Sequence, residues 1–420
     1  CTSTPISATN SPAAKSPTPE SNELLNSKVK PTFLLNIFHV LIDGLFESVP
    51  LLLSFMAIAW GSGEKEVGLI ISLAVMASTV AGLATKPLSR RFGRLTALTG
   101  ITALYGAGFF MNAFAANLYF AGGCFILATA GHTVFHSISF SYLSTATDRA
   151  GLGTVLGNFT ALGDIGRVPF TALAGFVAAS SLFGFPGWRI VSFIYGLGAL
   201  SFSYWAGVFL FSQNDRTPIE ESAATKATKN LPDLSLLRNS RYVLPIITNS
   251  FDAFGSDRIF TFLPFLLLAK HIEPQQIGLF ALLFMLSGLA GKMVCGRLVD
   301  RFGARPVFIA AESSMALLLG VLVVASQPSL LLVTAFLLGM VTKGTVPVVQ
   351  TIVANAVETP AEYEDIFTLN SLARGVTNIL APLVFGFIAA AYGVIWAYGV
   401  MGIAACCAVL PIALLRKTGR

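Results

Sequence analysis

The sequence predicts an all-α polytopic membrane protein whose twelve transmembrane helices form two pseudo-symmetric six-helix bundles. Three observations lead to this fold class. The 420-residue chain is 54% hydrophobic and only 11% charged, with a mean hydropathy of +0.73, whereas soluble domains are roughly 25% charged. The apolar residues come in blocks of about twenty, the helix length that crosses a hydrocarbon layer about 30 Å thick. Short motifs of the first half also recur in the second half.

The apolar blocks define the twelve spans and the domain boundaries. The predicted spans are residues 32 to 57, 67 to 86, 95 to 115, 118 to 142, 151 to 179, 188 to 212, 242 to 268, 275 to 296, 306 to 325, 329 to 352, 366 to 391 and 394 to 415. The predicted divisions are a disordered N-terminal tail over 1–31, six-helix bundles over 32–212 and 242–415, a polar linker over 213–241 and a C-terminal tail over 416–420. The first tail is rich in Ser, Thr, Pro and Asn, a composition with little to bury.

Basic residues cluster at the ends of alternate spans. The clusters are Lys86 to Arg94, Arg297 to Arg305 and Arg416 to Arg420, while the other connections carry almost no positive charge. This asymmetry follows the positive-inside rule. It predicts a cell membrane protein with both termini in the cytoplasm, and it accounts for the net charge of +6 without a nucleic-acid partner.

Two independent registers support an internal repeat. Arg91-Phe92-Gly93 recurs as Arg301-Phe302-Gly303, and in the first span of each half an Asp stands seven residues before a Pro. The latter pairs are Asp43 with Pro50 and Asp257 with Pro264. Transporters with such repeats tend to bind their solute between the repeats, near the middle of the membrane.

The segment Gly296-Arg297-Leu298-Val299-Asp300-Arg301-Phe302-Gly303-Ala304-Arg305 resembles the signature loop of the major facilitator superfamily in its second-half copy. Physically, Gly296 would allow close helix approach, and Asp300 would pair with basic neighbours or cap the N-terminus of a helix. The first-half copy has Lys86 and Arg90 where the family has Gly and Asp. The resemblance implies alternating-access transport with a conformational gate at these loops, formed by Gly296, Asp300, Arg301, Gly303, Arg305, Arg91, Gly93 and Arg94. The alternative reading is charge that only sets topology.

A narrower similarity is to the fosmidomycin resistance protein branch of that superfamily. It rests on His39 and Asp43, spaced HxxxD in the first span, and on Val134-Phe135-His136 in the fourth. This resemblance implies proton-driven export of a toxic compound, with an anionic phosphonate as one candidate.

His39, Asp43 and Glu47 stand four residues apart, which places them on one face of the first helix. Ionisable groups deep in a membrane usually face a cavity or a partner. Two nearby carboxylates in such a setting repel, so one should hold a proton that His39 can exchange. We predict that the three residues couple transport to protons. The alternative is a hydrated Glu47 near one membrane surface and a packed His39.

Further polar residues inside the spans are candidates for substrate binding. They are Arg374 with its neighbours Asn370 and Asn378, Lys343, His132 and His136, Asp164 with Arg167, and Asp257 with Arg258. Arg374 has no acidic neighbour on its own helix and is the strongest anion contact by this reasoning. Asp164 with Arg167, and Asp257 or Arg258 with residues of other helices, could instead be structural ion pairs. Paired histidines also bind metals, but two nitrogens need further ligands, so we expect no metal or other cofactor.

Other function classes find little support. The chain has no HExxH or GxSxG motif and no complete phosphate loop, which argues against an enzyme or an ATP-driven pump. The expected function is therefore secondary transport of a small anionic or zwitterionic solute by a monomer in the lipid bilayer, with proton-coupled export of a drug as the preferred form. Proton-symport import of an anionic metabolite and a non-transporting sensor or scaffold remain the alternatives.

Overall fold

The structure, a computed structural model, describes residues 19–147, 152–212, 233–357 and 360–414. The first half contains α1 Pro19–Ala59, α2 Glu64–Ala81, α3 Thr85–Phe92, α4 Arg94–Asn112, α5 Leu118–Thr129, α6 His132–Ala146, α7 Leu152–Ala178 and α8 Gly187–Ser212. The second half contains α9 Ser240–Ser256, α10 Ile259–Ala269, α11 Ile277–Phe302, α12 Ala304–Val324, α13 Pro328–Ala356, α14 Pro360–Tyr392 and α15 Val394–Leu414. Short 3-10 turns cover Gly82–Ala84, Leu234–Arg238 and Pro274–Gln276, and the strands β1 Ser181–Leu182 and β2 Phe185–Pro186 pair antiparallel.

The predicted all-α membrane fold is confirmed. Among the described residues, ten helical segments are long and apolar enough to cross a membrane. The other two predicted spans coincide with α4 and with the broken pair α9 and α10. Helices therefore occupy every predicted span position.

Helix α1 starts inside the segment that the composition predicts to be disordered. It begins at Pro19, so residues 19 to 31 of the predicted 1–31 tail are helical. The physical reason is that adding residues to an existing helix avoids the unfavourable nucleation step. In the predicted linker, a 3-10 turn and the start of α9 occupy residues 234 to 241. Residues 1–18, 213–232 and 415–420 lie outside the described residues.

The seventh span is broken in the middle, a feature that the sequence reasoning missed. Helix α9 ends at Ser256 and α10 begins at Ile259, so Asp257 and Arg258 stand at the break. Pro264, which could have been the site of a bend, lies inside α10 instead. Breaks of this kind in transporter helices expose polar backbone and side chains to a binding site.

Small residues join the two halves at one end of the bundle. Helix α2 packs against α14, and α7 packs against α11. A Cβ atom on Gly68 would lie 3.1 Å from the Cα of Gly386, and one on Gly175 would lie 2.6 Å from the Cα of Gly278. All four glycines lie toward the end of the bundle opposite the signature loop, which we call the far end. The halves are closely packed there.

The internal repeat is visible in the backbone of the two signature loops. Gly93 joins α3 to α4 with φ and ψ of 81° and 157°, and Gly303 joins α11 to α12 with 83° and 158°. This region of the backbone map is essentially restricted to glycine. The same sharp corner therefore occurs at the same place in both halves.

Candidate transport site

The polar residues of the first half converge on Asp43, which is almost fully buried on α1. The Arg167 guanidinium of α7 donates to Asp43 Oδ2 at 2.7 Å. The Nε2 atoms of His39 and His136 lie 3.3 Å and 3.2 Å from its carboxylate oxygens. The structure thus brings together His39, Asp43, His136 and Arg167 from three helices. The sequence had connected only His39 with Asp43.

The contacts of His39 make its pairing with Asp43 dependent on a proton. Nδ1 of His39 lies 2.8 Å from the carbonyl oxygen of Phe159, and a carbonyl only accepts, so Nδ1 must carry hydrogen. In the neutral ring, Nε2 then presents a lone pair toward Asp43. The contact with Asp43 is favourable only if a further proton sits on His39 or on the carboxyl group. This geometry provides a site where one proton can be held.

Ion pairs continue from Asp43 across to the second half of the protein. Arg167 also lies 3.0 Å from Asp164 and 3.8 Å from Glu47. Lys292 of α11 binds Asp164 at 2.5 Å, and Lys343 of α13 binds Glu47 at 3.2 Å. Two ion pairs therefore connect the halves.

We call these groups the central network. Its members are the carboxylates of Asp43, Glu47 and Asp164 and the cationic groups of Arg167, Lys292 and Lys343. With all six ionised the charges cancel, which is how buried ions are normally tolerated. A cavity bordered by Asp164, Arg167, Lys292 and Lys343 holds only about 10 Å³, roughly the space of one water molecule. An organic solute would need these groups to separate.

A second cluster surrounds the break between α9 and α10. Arg374 of α14 donates to Asp257 at 3.0 Å and to the Asn249 side chain at 3.1 Å. Asn249 in turn donates to Asn370 at 2.8 Å. Each half therefore pairs an Asp of its first span with an Arg of its fifth. Sequence reasoning found no acidic group beside Arg374 on its helix because Asp257 reaches it from another helix.

Arg258 differs from its neighbour Arg374 in lacking a carboxylate within ion-pair distance among the described residues. Its Nη2 atom lies 3.3 Å from the Asn378 side-chain oxygen, and its Nε atom is buried with no hydrogen-bond partner in the described part of the chain. An unsatisfied buried guanidinium donor is a strong candidate for binding an anion. Arg258 thus has a buried donor that is unpaired within the described ranges, whereas Arg374 is bound to Asp257 and Asn249.

His132 contacts the Asp43 cluster through His136, with the two ring centroids 4.6 Å apart. The ring of His132 stacks on Phe46 with centroids 3.9 Å apart, and its Nδ1 lies 3.0 Å from the Tyr105 hydroxyl.

Donor atoms of His39, Asp43 and His136 lie within 4.8 Å of one another, a set that could hold a metal ion. The Arg167 cation on Asp43 opposes a second cation at that position.

The signature loops contain one disagreement with expectation. Arg94 donates to Thr145, and Arg305 donates to the Ala413 carbonyl at 2.8 Å, so each loop is tied to a helix of its own half. A Cβ atom on Gly296 would meet nothing within 4 Å. The expectation that Gly296 allows close helix approach is therefore wrong for this conformation. No helix among the described residues packs closely against α11 at Gly296.

The paired arginines of the loops behave alike. Arg91 lies over the ring of Phe92 with 5.4 Å between the guanidinium carbon and the centroid, and Arg301 lies over Phe302 at 5.1 Å. Asp300 directly precedes Arg301 in the last turns of α11, after Cys295, the last buried residue of that helix. The repeat thus extends from backbone conformation to side-chain contacts.

The sequence matches the family model of the Major Facilitator Superfamily over residues 32–271 and again over 246–420. The chain belongs to this superfamily. Membership confirms the resemblance seen in the signature loop, and it identifies a membrane transporter rather than an enzyme. No individual curated protein sequence matches this superfamily member significantly.

Solved structures agree with this superfamily assignment. A bacterial homolog of the human lysosomal transporter Spinster, in an inward-facing and occupied conformation, has a TM-score of 0.71 at 11% identity, with 92% of this chain and 96% of that chain covered. The nucleoside transporter NupG has a TM-score of 0.71 at 15% identity, covering 91% and 98%. The inward-open xylose transporter XylE from E. coli has a TM-score of 0.71 at 14% identity, covering 94% and 98%. At these identities the likeness concerns the fold.

Proposed function

We propose that this protein exports a small organic anion or zwitterion by alternating access, driven by protons that move in the opposite direction. The observation that carries the proposal is the central network, in which carboxylates of the first half form ion pairs with lysines of the second half. Because Arg167 touches Asp43, Asp164 and Glu47, a change of charge on one carboxylate alters its attraction to the others. Proton binding and the contact between halves are thereby linked.

The coupling step follows from this charge balance. When Asp43 takes up a proton, Arg167 loses its closest anion and is drawn toward Glu47 and Asp164. Arg167 then competes with Lys343 for Glu47 and with Lys292 for Asp164, which weakens both bridges between the halves. Proton uptake therefore favours separation of the halves at the network, and proton loss favours their contact.

The cations point to an anionic or zwitterionic solute. Lys343, Lys292 and Arg258 line or approach the interface between the halves, and an anion could replace the carboxylate partners of the two lysines. Arg374, held by Asp257, would position Asn249 and Asn370 rather than contact the solute first. The similarity of His39, Asp43 and the Val134-Phe135-His136 segment to the fosmidomycin resistance branch supports export and a drug as solute. Symport of an anionic metabolite would use the same side chains and is the second candidate.

The distribution of basic residues supports a cell membrane location with the signature loops and both termini in the cytoplasm. In that orientation the closely packed far end faces outward, and the structure corresponds to the closed-outside half of the transport cycle. This agrees with the inward-facing and inward-open states named for two of the similar structures.

The proposal is tested with purified protein and defined compounds. A thermal-shift screen of anionic compounds, with the phosphonate fosmidomycin included, identifies a ligand, and Arg258→Gln and Arg374→Ala report the cationic contacts. Proteoliposomes with an imposed proton gradient then measure flux of that ligand in both directions. Accumulation against the proton gradient supports exchange, whereas accumulation only in the direction of proton flow would establish symport. Asp43→Asn should abolish gradient-driven flux, and the exposed Glu273→Gln should not.

A sensor or scaffold without transport is the remaining candidate. It is favoured by the first-half loop, where Lys86 and Arg90 replace the Gly and Asp of the superfamily pattern. Ligand binding without flux in the same proteoliposomes would identify this function.

A further inference from the structure

Two acidic residues of the second half lie outside the central network. Asp252 of α9 and Glu312 of α12 are 1% and 0% exposed. Their carboxyl groups face each other closely enough to share a hydrogen bond. Asp252 Oδ2 and both Glu312 oxygens are buried without a hydrogen-bond donor in the described part of the chain. Sequence reasoning passed over both residues, although an acidic residue within an apolar span is itself a signal.

The surroundings of this carboxyl pair supply little compensating charge. The Thr345 hydroxyl of α13 lies 3.1 Å from Asp252 Oδ1 and 2.9 Å from the carbonyl oxygen of Thr342, and its single hydrogen serves one of them at a time. The titratable or charged groups that face the pair from neighbouring elements are Arg374 of α14, Asp257 at the α9–α10 break and Cys406 of α15. Arg374 is already bound to Asp257 and Asn249. Two ionised carboxylates in this setting would repel each other at a large free-energy cost.

The internal repeat shows that the fold does not require acids at these positions. In the register that aligns Asp43 with Asp257, Asp252 corresponds to Phe38, and in the register that aligns Gly93 with Gly303, Glu312 corresponds to Thr102. Phe38 and Thr102 are equally buried. The first half thus fills the equivalent space without ionisable groups, so the second half carries the acid pair for another reason.

We propose that Asp252 and Glu312 form a second proton-binding site, in which one proton is shared between the two carboxyl groups. Glu312, which has no other polar partner among the described residues, holds the proton and donates its O–H to the Asp252 carboxylate. The pair then carries a single negative charge, and the hydrogen bond pairs Asp252 Oδ2 with one of the two Glu312 oxygens, which are otherwise without a partner in the described ranges. Release of the proton leaves two carboxylates, which requires water or a cation to reach the pair.

The position of the site connects it to both parts of the transport machinery. Thr345 lies two residues from Lys343 on α13, and Lys343 binds Glu47 across the halves. Asp252 lies three residues from Asn249 on α9, and Asn249 binds Arg374. Loss of the shared proton would push α9 and α12 apart and draw Arg374 toward Asp252. A role in coupling rests on the proposed proton-driven transport, whereas proton binding by the pair does not.

Infrared difference spectroscopy of the full chain in lipid tests the site without any solute. The wild type should show the carbonyl stretch of a protonated carboxylic acid at neutral pH. Glu312→Gln should lose this band, because Asp252 keeps Thr345 and the nearby Arg374 and ionises. Asp252→Asn should retain it, because Glu312 is then alone and neutral. Glu273→Gln, at an exposed carboxylate, is the matched control and should leave the spectrum unchanged.

Three outcomes would overturn the proposal. These are a band unaffected by Glu312→Gln, no such band in the wild type, and loss of the band on adding Na⁺ at constant pH, which would identify a cation site instead. If a single variant fails to fold, the Asp252→Asn/Glu312→Gln double variant keeps the test valid. Its thermal stability should no longer fall between neutral and alkaline pH as that of the wild type does. A wild type that lacks proton-driven flux but keeps the band would reject only the proposed function.

Discussion

The ion pair between Glu47 and Lys343 offers a quantitative test of how the halves are held together. Both groups are mostly buried, with 13% and 27% of their side chains exposed. Removing one partner of a fully buried pair destabilises by about 3–5 kcal/mol, and exposed pairs are worth about 0–1 kcal/mol. For this partly buried pair we expect about 1–3 kcal/mol. The pair forms only when the halves meet, so its loss should reduce the population of this conformation relative to others by about 5- to 150-fold.

A double-mutant cycle isolates this pair from other effects of substitution. The variants are Lys343→Met, Glu47→Gln and the double variant, each in a background without the five cysteines. Spin labels at Ser62 and Gln275, one on each half at the far end, report the distribution of distances by pulsed electron resonance. The two single changes should shift the distribution, and the double variant should shift it by clearly less than their sum. Additive shifts would show that the pair contributes nothing to the closed far end, and the reasoning would be refuted.

Three further predictions follow from the packing and the charges. Gly68→Leu should open the far end, because even a Cβ atom on residue 68 would clash with the backbone of α14. An unchanged distance between spin labels at Ser62 and Gln275 would contradict this prediction. Gly303→Ala should lower the free energy of unfolding in detergent by about 1–3 kcal/mol, because the backbone conformation of Gly303 is restricted to glycine. Gly296 lies on a helix in open space, so Gly296→Ala should be neutral or stabilising by up to about 1 kcal/mol. Equal effects of the two substitutions would contradict the assignment. Arg258→Gln should weaken binding of the anion found by thermal shift, with little loss of protein stability. Arg374→Gln should also destabilise the protein, because it leaves Asp257 unpaired. An unchanged affinity for the anion in Arg258→Gln would exclude a contact between Arg258 and the anion.

The fold was predictable from the sequence because its determinants are local and repeated. Apolar blocks of membrane length set the spans, and the two copies of Arg-Phe-Gly set the division into halves. The break at Asp257 and Arg258 was not predictable in this way. Those residues follow a stretch of α9 that already contains Asn249, Asp252 and Ser256, and polar residues within a span do not by themselves locate a break. The polar contacts that stabilise a break come from another helix, α14.

The site was predictable as a set of residue types but not as a set of partners. Helical spacing correctly placed His39, Asp43 and Glu47 on one helix face and Asp164 beside Arg167. Spacing carries no information about contacts between helices, so the bond between Asp43 and Arg167 and the bridge from Glu47 to Lys343 were missed. Arg374 looked unpaired for the same reason. Asp252 and Glu312 were overlooked because they lie on different helices, α9 and α12, and residue spacing within one helix cannot show that their carboxyl groups meet.

The central claim is that Asp43 links proton movement to solute movement through the shared network. The most direct test is proteoliposomes that contain a pH-sensitive dye, to which the anionic compound identified by thermal shift is added. Wild-type protein should move protons when the compound is added, and Asp43→Asn should bind the compound without moving protons. Compound-driven proton movement of wild-type size in Asp43→Asn would contradict the account.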